Sequence, residues 1–177
     1  MKRGWIAVVF LTCAATLAAQ TPAAPAGGAS PTHAREAFEK LKSLAGRWES
    51  KSTVGWEASE NIRVIGRGSA IVFSSEFKDV PGEGMITVYF VDRGRLKLTH
   101  FCEAGNQPTL VATEITPEGM TFEFESGTGM ASRDNGHMDK VVMKFRDRDS
   151  FSEQWSWYQK GQQKLFEEVE YRRVPAK

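Results

Sequence analysis

Cysteine is scarce in this chain: only Cys13 and Cys102 occur in 177 residues. A disulfide-stapled scaffold and a cysteine-rich zinc module are thereby excluded. Neither sign of charge prevails, since 23 Lys and Arg face 22 Asp and Glu. The electrostatic footprint of a nucleic-acid or anionic-membrane binder is therefore missing. Downstream of the N-terminal segment no apolar run approaches the roughly 20 residues that a spanning helix needs, so no integral membrane span is expected. Catalytic signatures are absent too: there is no Gly-x-Ser-x-Gly elbow, no His-Glu-x-x-His helix and no phosphate-cradling glycine loop. No cofactor motif is found, and no cofactor is expected.

The chain opens with the features of an export signal. Lys2 and Arg3 supply a positive start, Trp5 to Leu17 an apolar run, and Ala18-Ala19-Gln20 a small-residue cleavage zone. The expected organisation is a signal peptide over 1–19, a flexible Ala/Pro/Gly linker over 20–32, and one domain over 33–177. The linker composition cannot bury enough surface to offset its ordering entropy. This predicts an exported protein, periplasmic or extracellular. A lipid anchor at Cys13 is the alternative, although Phe10-Leu11-Thr12 makes a poor lipobox. Once the signal leaves, Cys102 is the lone thiol, either buried and inert or reactive.

One helix is predicted over Ala34 to Ala45, with Thr32 as N-cap, Phe38, Leu41 and Leu44 on one face, and Gly46 as its stop. After it the hydrophobic period changes to two. Strands are predicted over Trp48–Val54, Glu60–Ile65, Ser69–Phe77, Met85–Val91, Leu96–Glu103, Leu110–Ile115, Thr121–Glu125, His137–Phe145, Phe151–Tyr158 and Lys164–Val174. The connections are short and carry turn chemistry, as at Asp92-Arg93-Gly94 and Lys160-Gly161, which leaves no room for crossover helices. The expected fold class is all-β: an antiparallel up-and-down β-barrel of about ten strands with a short N-terminal helix, closed so that no strand edge is exposed. A β-sandwich is the competing solution. Ser126 to Gly136 is the one long connection and is expected to be a mobile rim loop.

Alternation also sorts side chains by face. Leu96, Leu98, His100 and Cys102 share one face; Phe122 and Phe124, then Val141, Met143 and Phe145, then Phe151, Trp155 and Trp157 are expected to face inward. The same phases bring in His137, Asp139 and Glu153, and in the last strand Glu167 among Leu165, Val169 and Tyr171. Burying an unsatisfied polar group costs about 1–3 kcal/mol, and an unpaired charge costs more, so a solvated or ligand-filled cavity is expected.

The segment Leu41-Lys42-Ser43-Leu44-Ala45-Gly46-Arg47-Trp48-Glu49, a short helix running into Gly-x-Trp at the first strand, resembles the opening of calycin barrels: lipocalins, fatty-acid-binding proteins and nitrobindin-like proteins. The resemblance implies that Trp48 packs at the closed end of the barrel. The stretch Met85 to Pro108, with His100-Phe101-Cys102 followed by Gly105-Asn106-Gln107-Pro108, is similar to uncharacterised exported bacterial proteins described as lipocalin-like. The second and third lipocalin signature regions and the nitrobindin haem-ligand segment are missing. What the likeness implies is a cup for small, mostly apolar molecules.

The expected partner is thus a small, partly apolar molecule. Tyr89, Phe122, Phe145, Trp155 and Trp157 would supply contact area, while His100, Cys102 and Glu167 would orient it. Asn106 either forms the turn or reaches over the mouth with its amide. Three other readings stay open: a haem- or metal-binding barrel using His100 and His137, helped by Cys102 and Asp139; a thiol-dependent enzyme using Cys102; and an interaction module.

Overall fold

The computed structural model describes residues 30–175; the signal peptide expected over 1–19 and the linker up to residue 29 lie outside them. Helix α1 (Pro31–Lys42) precedes ten strands: β1 (Gly46–Ser52), β2 (Glu57–Ile65), β3 (Ala70–Phe77), β4 (Ile86–Asp92), β5 (Arg95–Phe101), β6 (Gln107–Ile115), β7 (Gly119–Thr128), β8 (His137–Phe145), β9 (Ser150–Gln159) and β10 (Gln162–Arg173). Each strand pairs antiparallel with its sequence neighbours, and β1 pairs with β10, which closes a ten-stranded barrel. The sandwich alternative is therefore set aside. The architecture is consistent with a calycin-like fold. No helix among the described residues is long and apolar enough to cross a membrane.

Helix α1 starts three residues earlier than expected. Ser30, not Thr32, is the N-cap, and its hydroxyl accepts from the His33 amide at 3.5 Å. Pro31 then occupies the first helical turn, where its missing N–H costs nothing. Ala34, Ala37, Phe38 and Leu41 follow the i, i+3, i+4, i+7 pattern and are buried, with Leu44 just past the helix end. This stripe plugs one end of the barrel against β4, β5 and β6.

The plugged end is locked by three residues. Trp48 is buried and donates through Nε1 to the Leu44 carbonyl at 2.8 Å. The Arg173 guanidinium lies 4.2 Å from the Trp48 ring and donates to the carbonyls of Ala45 (2.9 Å) and Ser43 (3.2 Å), tying the last strand to the helix end. Gly46 lets this happen: its φ of +136° suits glycine, and a Cβ there would stand 3.0 Å from Arg173 Nη1. From Trp48 an aromatic chain runs up the barrel axis through Phe151, Phe73 and Tyr89 to Phe122, with centroid separations of 4.8–6.2 Å. The lower half of the barrel is thus solid.

Irregularities in the sheet change which residues face inward. A bulge between Leu165 and Glu167 breaks the phase of β10, so Glu167, Val169 and Tyr171 are buried whereas Leu165, expected inside, is exposed. A second bulge, between Met138 and Lys140, puts Met138 on the chamber wall, while His137 and Asp139 are buried as expected but away from that chamber. Strand β7 runs on to Thr128 because Pro108 and Gln107 extend β6 beside it, so the long connection shrinks to 129–136. That segment is anchored: the Arg133 guanidinium lies between the Phe124 and Tyr158 rings (4.6 and 4.5 Å) and donates to Asp139 Oδ1 at 2.7 Å.

Candidate functional site

The end opposite α1 is bordered by the connections 53–56, 78–85, 102–106, 129–136 and 160–161. Just inside it, where the aromatic packing stops, polar side chains from six strands converge on a small chamber. Its polar walls include Glu60 of β2, Ser75 of β3, Thr87 of β4, His100 of β5, Glu153 and Trp155 of β9, and Glu167 of β10, joined by Met138 of β8 and Trp56 from the first connection. The chamber has a volume of about 30 Å³, room for one or two waters.

Most of the polar wall is satisfied internally. Glu153 accepts from the Tyr89 hydroxyl at 3.1 Å, from Trp155 Nε1 at 2.9 Å and from the Tyr171 hydroxyl at 3.0 Å. Glu167 accepts from Trp56 Nε1 at 2.8 Å and from the Ser52 hydroxyl, both at Oε2. Glu60 accepts from Ser50 Oγ at 2.9 Å. His100 Nδ1 lies 2.8 Å from Thr87 Oγ1, and its ring stands 4.7 Å from Trp155. The expected solvated or ligand-filled cavity is thus only part of the answer: hydroxyl and indole donors from the same strand, adjacent strands, the first connection and, for Tyr89, from across the barrel satisfy most of these groups.

No Lys or Arg lines the chamber. Burial consequently dominates the titration of its acids, outweighing the hydrogen bonds that favour ionisation. It pushes Glu60 up to about 7, with a further push from Glu153, and raises Glu153 and Glu167 as well. Burial also lowers the His100 imidazole to about 4, so the ring is neutral at ordinary pH.

Above the chamber the mouth widens into an apolar recess of about 390 Å³, walled by Val54, Trp56, Phe77, Met85, Met138, Trp157 and Phe166, with Cys102 and Glu167 among them. Trp56, Met85, Met138 and Glu167 border both spaces. A larger recess of about 660 Å³ at the plugged end is walled mainly by charged side chains, among them Lys40, Arg146, Asp147, Arg148 and Asp149. The mouth is the one with the apolar walls and few polar anchors of a small-molecule site.

The structure brings His100, Trp155 and Glu167 together at the chamber, with Cys102, Trp157 and Glu167 in the recess above. Strand β5 ends at Phe101, so Cys102 opens the following turn, half-buried; burial raises its thiol. Tyr89 contributes from below through Glu153. Phe122 belongs to the packed core, edge-to-face with Tyr89. Phe145 sits at the opposite end, under the Lys40 ammonium. Asn106 is buried, and its Nδ2 donates to the Gly136 carbonyl at 2.8 Å, tying the turn 102–106 to the 129–136 segment. His137 forms a separate cluster: Nε2 lies 3.2 Å from Asp139 Oδ1, Nδ1 lies 2.7 Å from the Asn135 carbonyl, and Phe124 and Tyr158 flank the ring. No group of three or more His, Cys, Asp or Glu among the described residues is placed to hold a metal ion.

Sequence reasoning missed Glu60, Trp56, Met85 and Phe166. Glu60 was within reach, because Ala58, Glu60 and Ile62 alternate with exposed residues along β2. Trp56 stands in a turn, where no periodicity operates, and Phe166 reaches the mouth through the β10 bulge. No family model matches the chain, and no curated protein matches its sequence.

Proposed function

We propose that this is an exported, calycin-like barrel that binds a small, partly apolar molecule at its mouth, acting as a binding protein rather than a catalyst. The observation that carries the reading is the recess of about 390 Å³ with two tryptophans and two phenylalanines in its wall, continuous with the polar chamber through Trp56, Met85, Met138 and Glu167. Recesses of roughly 300–1,000 Å³ with apolar walls and a few polar groups are the usual form of such sites. The helix plug and the aromatic chain make the opposite end a rigid base. Periplasmic or extracellular placement follows from the export signal read in the sequence and forms part of the proposal.

The neutral apolar dye Nile red tests it. Its fluorescence rises on binding to the wild-type protein, and Trp157→Glu, which puts a charge into the wall, weakens that binding about tenfold or more, the cost of leaving one charge against apolar surface. Leu165→Glu, on the exposed side of the β10 bulge, leaves it unchanged. Equal affinity in the wild type and Trp157→Glu contradicts the proposal.

A further inference from the structure

The hydrogen-bond inventory of the chamber is lopsided in a way that specifies the head group of a ligand. Glu60, Glu167 and His100 are 5%, 4% and 5% exposed. Each has one polar atom that no donor or acceptor among the described residues reaches: Glu60 Oε2, because Ser50 binds Oε1; Glu167 Oε1, because Ser52 and Trp56 both bind Oε2; and His100 Nε2, because Thr87 binds Nδ1. All three residues border the same small space. The Thr87 hydroxyl can either accept from or donate to Nδ1; in the tautomer that donates its Nδ1 proton to Thr87, the neutral imidazole offers Nε2 as an acceptor. In that tautomer, and with Glu60 and Glu167 ionised, the unclaimed atoms are acceptors alone, and a hydrogen-bond donor is what the space lacks.

Charge points the same way. Neither the chamber nor the recess is lined by Lys or Arg, so carboxylates buried there have no cation to offset their lost hydration. Indole and phenyl rings surround them: Trp56, Phe73, Trp155 and Tyr171 in the chamber, Trp157 and Phe166 above it. Aromatic faces beside carboxylates attract a desolvated organic cation. The space below the mouth fits a group the size of one ammonium, whose three N–H donors equal the three unclaimed acceptors in number.

We infer that mouth and chamber form one site for a small primary amine carried on an apolar body, the ammonium held by Glu167, Glu60 and His100 and the body lying between Trp56, Trp157 and Phe166. The inference rests on the binding role proposed above and deepens it. It also sets the site against carboxylate ligands such as fatty acids, which would bring a second negative charge into a space with no counter-ion.

Three probes with the same ring and different heads decide it: phenethylamine, phenethyl alcohol and phenylpropionate, titrated calorimetrically into the intact protein at about pH 8, where the amine is charged. The amine is expected to bind at least about tenfold tighter than the alcohol, and the carboxylate not detectably. Glu167→Gln is expected to bring amine and alcohol to parity while alcohol binding persists. Equal affinity of amine and alcohol for the wild type overturns the inference and leaves the mouth as a binding site. Preference for the carboxylate overturns it as well. Failure of all three to bind, with Nile red also excluded, overturns both readings. The wild-type comparison requires no variant to fold.

Discussion

Replacing Glu60 by glutamine is expected to stabilise the protein, and to do so only at high pH. The residue is 5% exposed on the chamber wall, receives one hydrogen bond from Ser50 Oγ at 2.9 Å, and faces no cation. Burial is the main cause that lifts its carboxyl from the ordinary 4.5 to about 7, with Glu153 adding repulsion and Ser50 opposing. The folded state thus holds a proton that the unfolded chain releases between pH 4.5 and about 7. Stability from this group is fully present below the lower value and is lost as pH rises through the window. At about 1.36 kcal/mol per pKa unit, the difference between 4.5 and about 7 corresponds to about 3 kcal/mol. Glutamine resembles the protonated acid in shape and carries no charge. Glu60→Gln should therefore gain up to about 3 kcal/mol at about pH 8 and little at about pH 4.5. Urea denaturation followed by tryptophan fluorescence at the two pH values measures both. A variant no more stable than the wild type at the higher pH, or equally stabilised at both, refutes the claim that an unpaired carboxyl is buried at this position.

Two other titrations follow from the same burial. His100, held near 4 by burial, is expected to keep its imidazole neutral down to about pH 5, so its ring resonances in NMR should stay still between about pH 8 and 5; a midpoint at its ordinary 6.5 contradicts the burial. Its share of stability has the opposite sign to that of Glu60: it is present above 6.5 and lost as pH falls toward about 4. Cys102, half-buried with its thiol raised by burial, should react with the disulfide reagent DTNB more slowly at about pH 8 than free cysteine does; faster reaction would revive the thiol-enzyme reading.

The barrel was legible because its strands obey a period of two across regular stretches. Leu96, Leu98 and His100 lie inside as alternation requires, as do Val141 and Met143, and Phe151, Glu153 and Trp155. Legibility ended where one extra residue enters a strand. The bulge beside Met138 put that residue on the chamber wall and left His137 and Asp139 buried in a separate cluster, and the bulge beside Glu167 turned Leu165 outward, because a slip of one residue reverses the side chains beyond it. Half of the candidate site was visible for the same reason: His100, Trp155 and Glu167 sit on regular or recovered phases. Of the missing half, Glu60 lies on the regular strand β2 and was readable, whereas Trp56, Met85 and Phe166 lie in turns and at a bulge, where position is set by the chain ends of neighbouring strands. The extent of free space was illegible altogether. It depends on how Tyr89, Phe151 and Trp48 fill the axis, a packing outcome that no residue pattern encodes.

The most direct test is a proton–nitrogen correlation NMR titration with phenethyl alcohol, read at the indole N–H signals. Trp56 and Trp157 line the mouth, Trp155 lines the chamber, and Trp48 lies at the plugged end hydrogen-bonded to Leu44. The account predicts saturable shifts at Trp56, Trp155 and Trp157 with Trp48 unmoved. Shifts led by Trp48, or no saturable shift at any of the mouth signals, would contradict it.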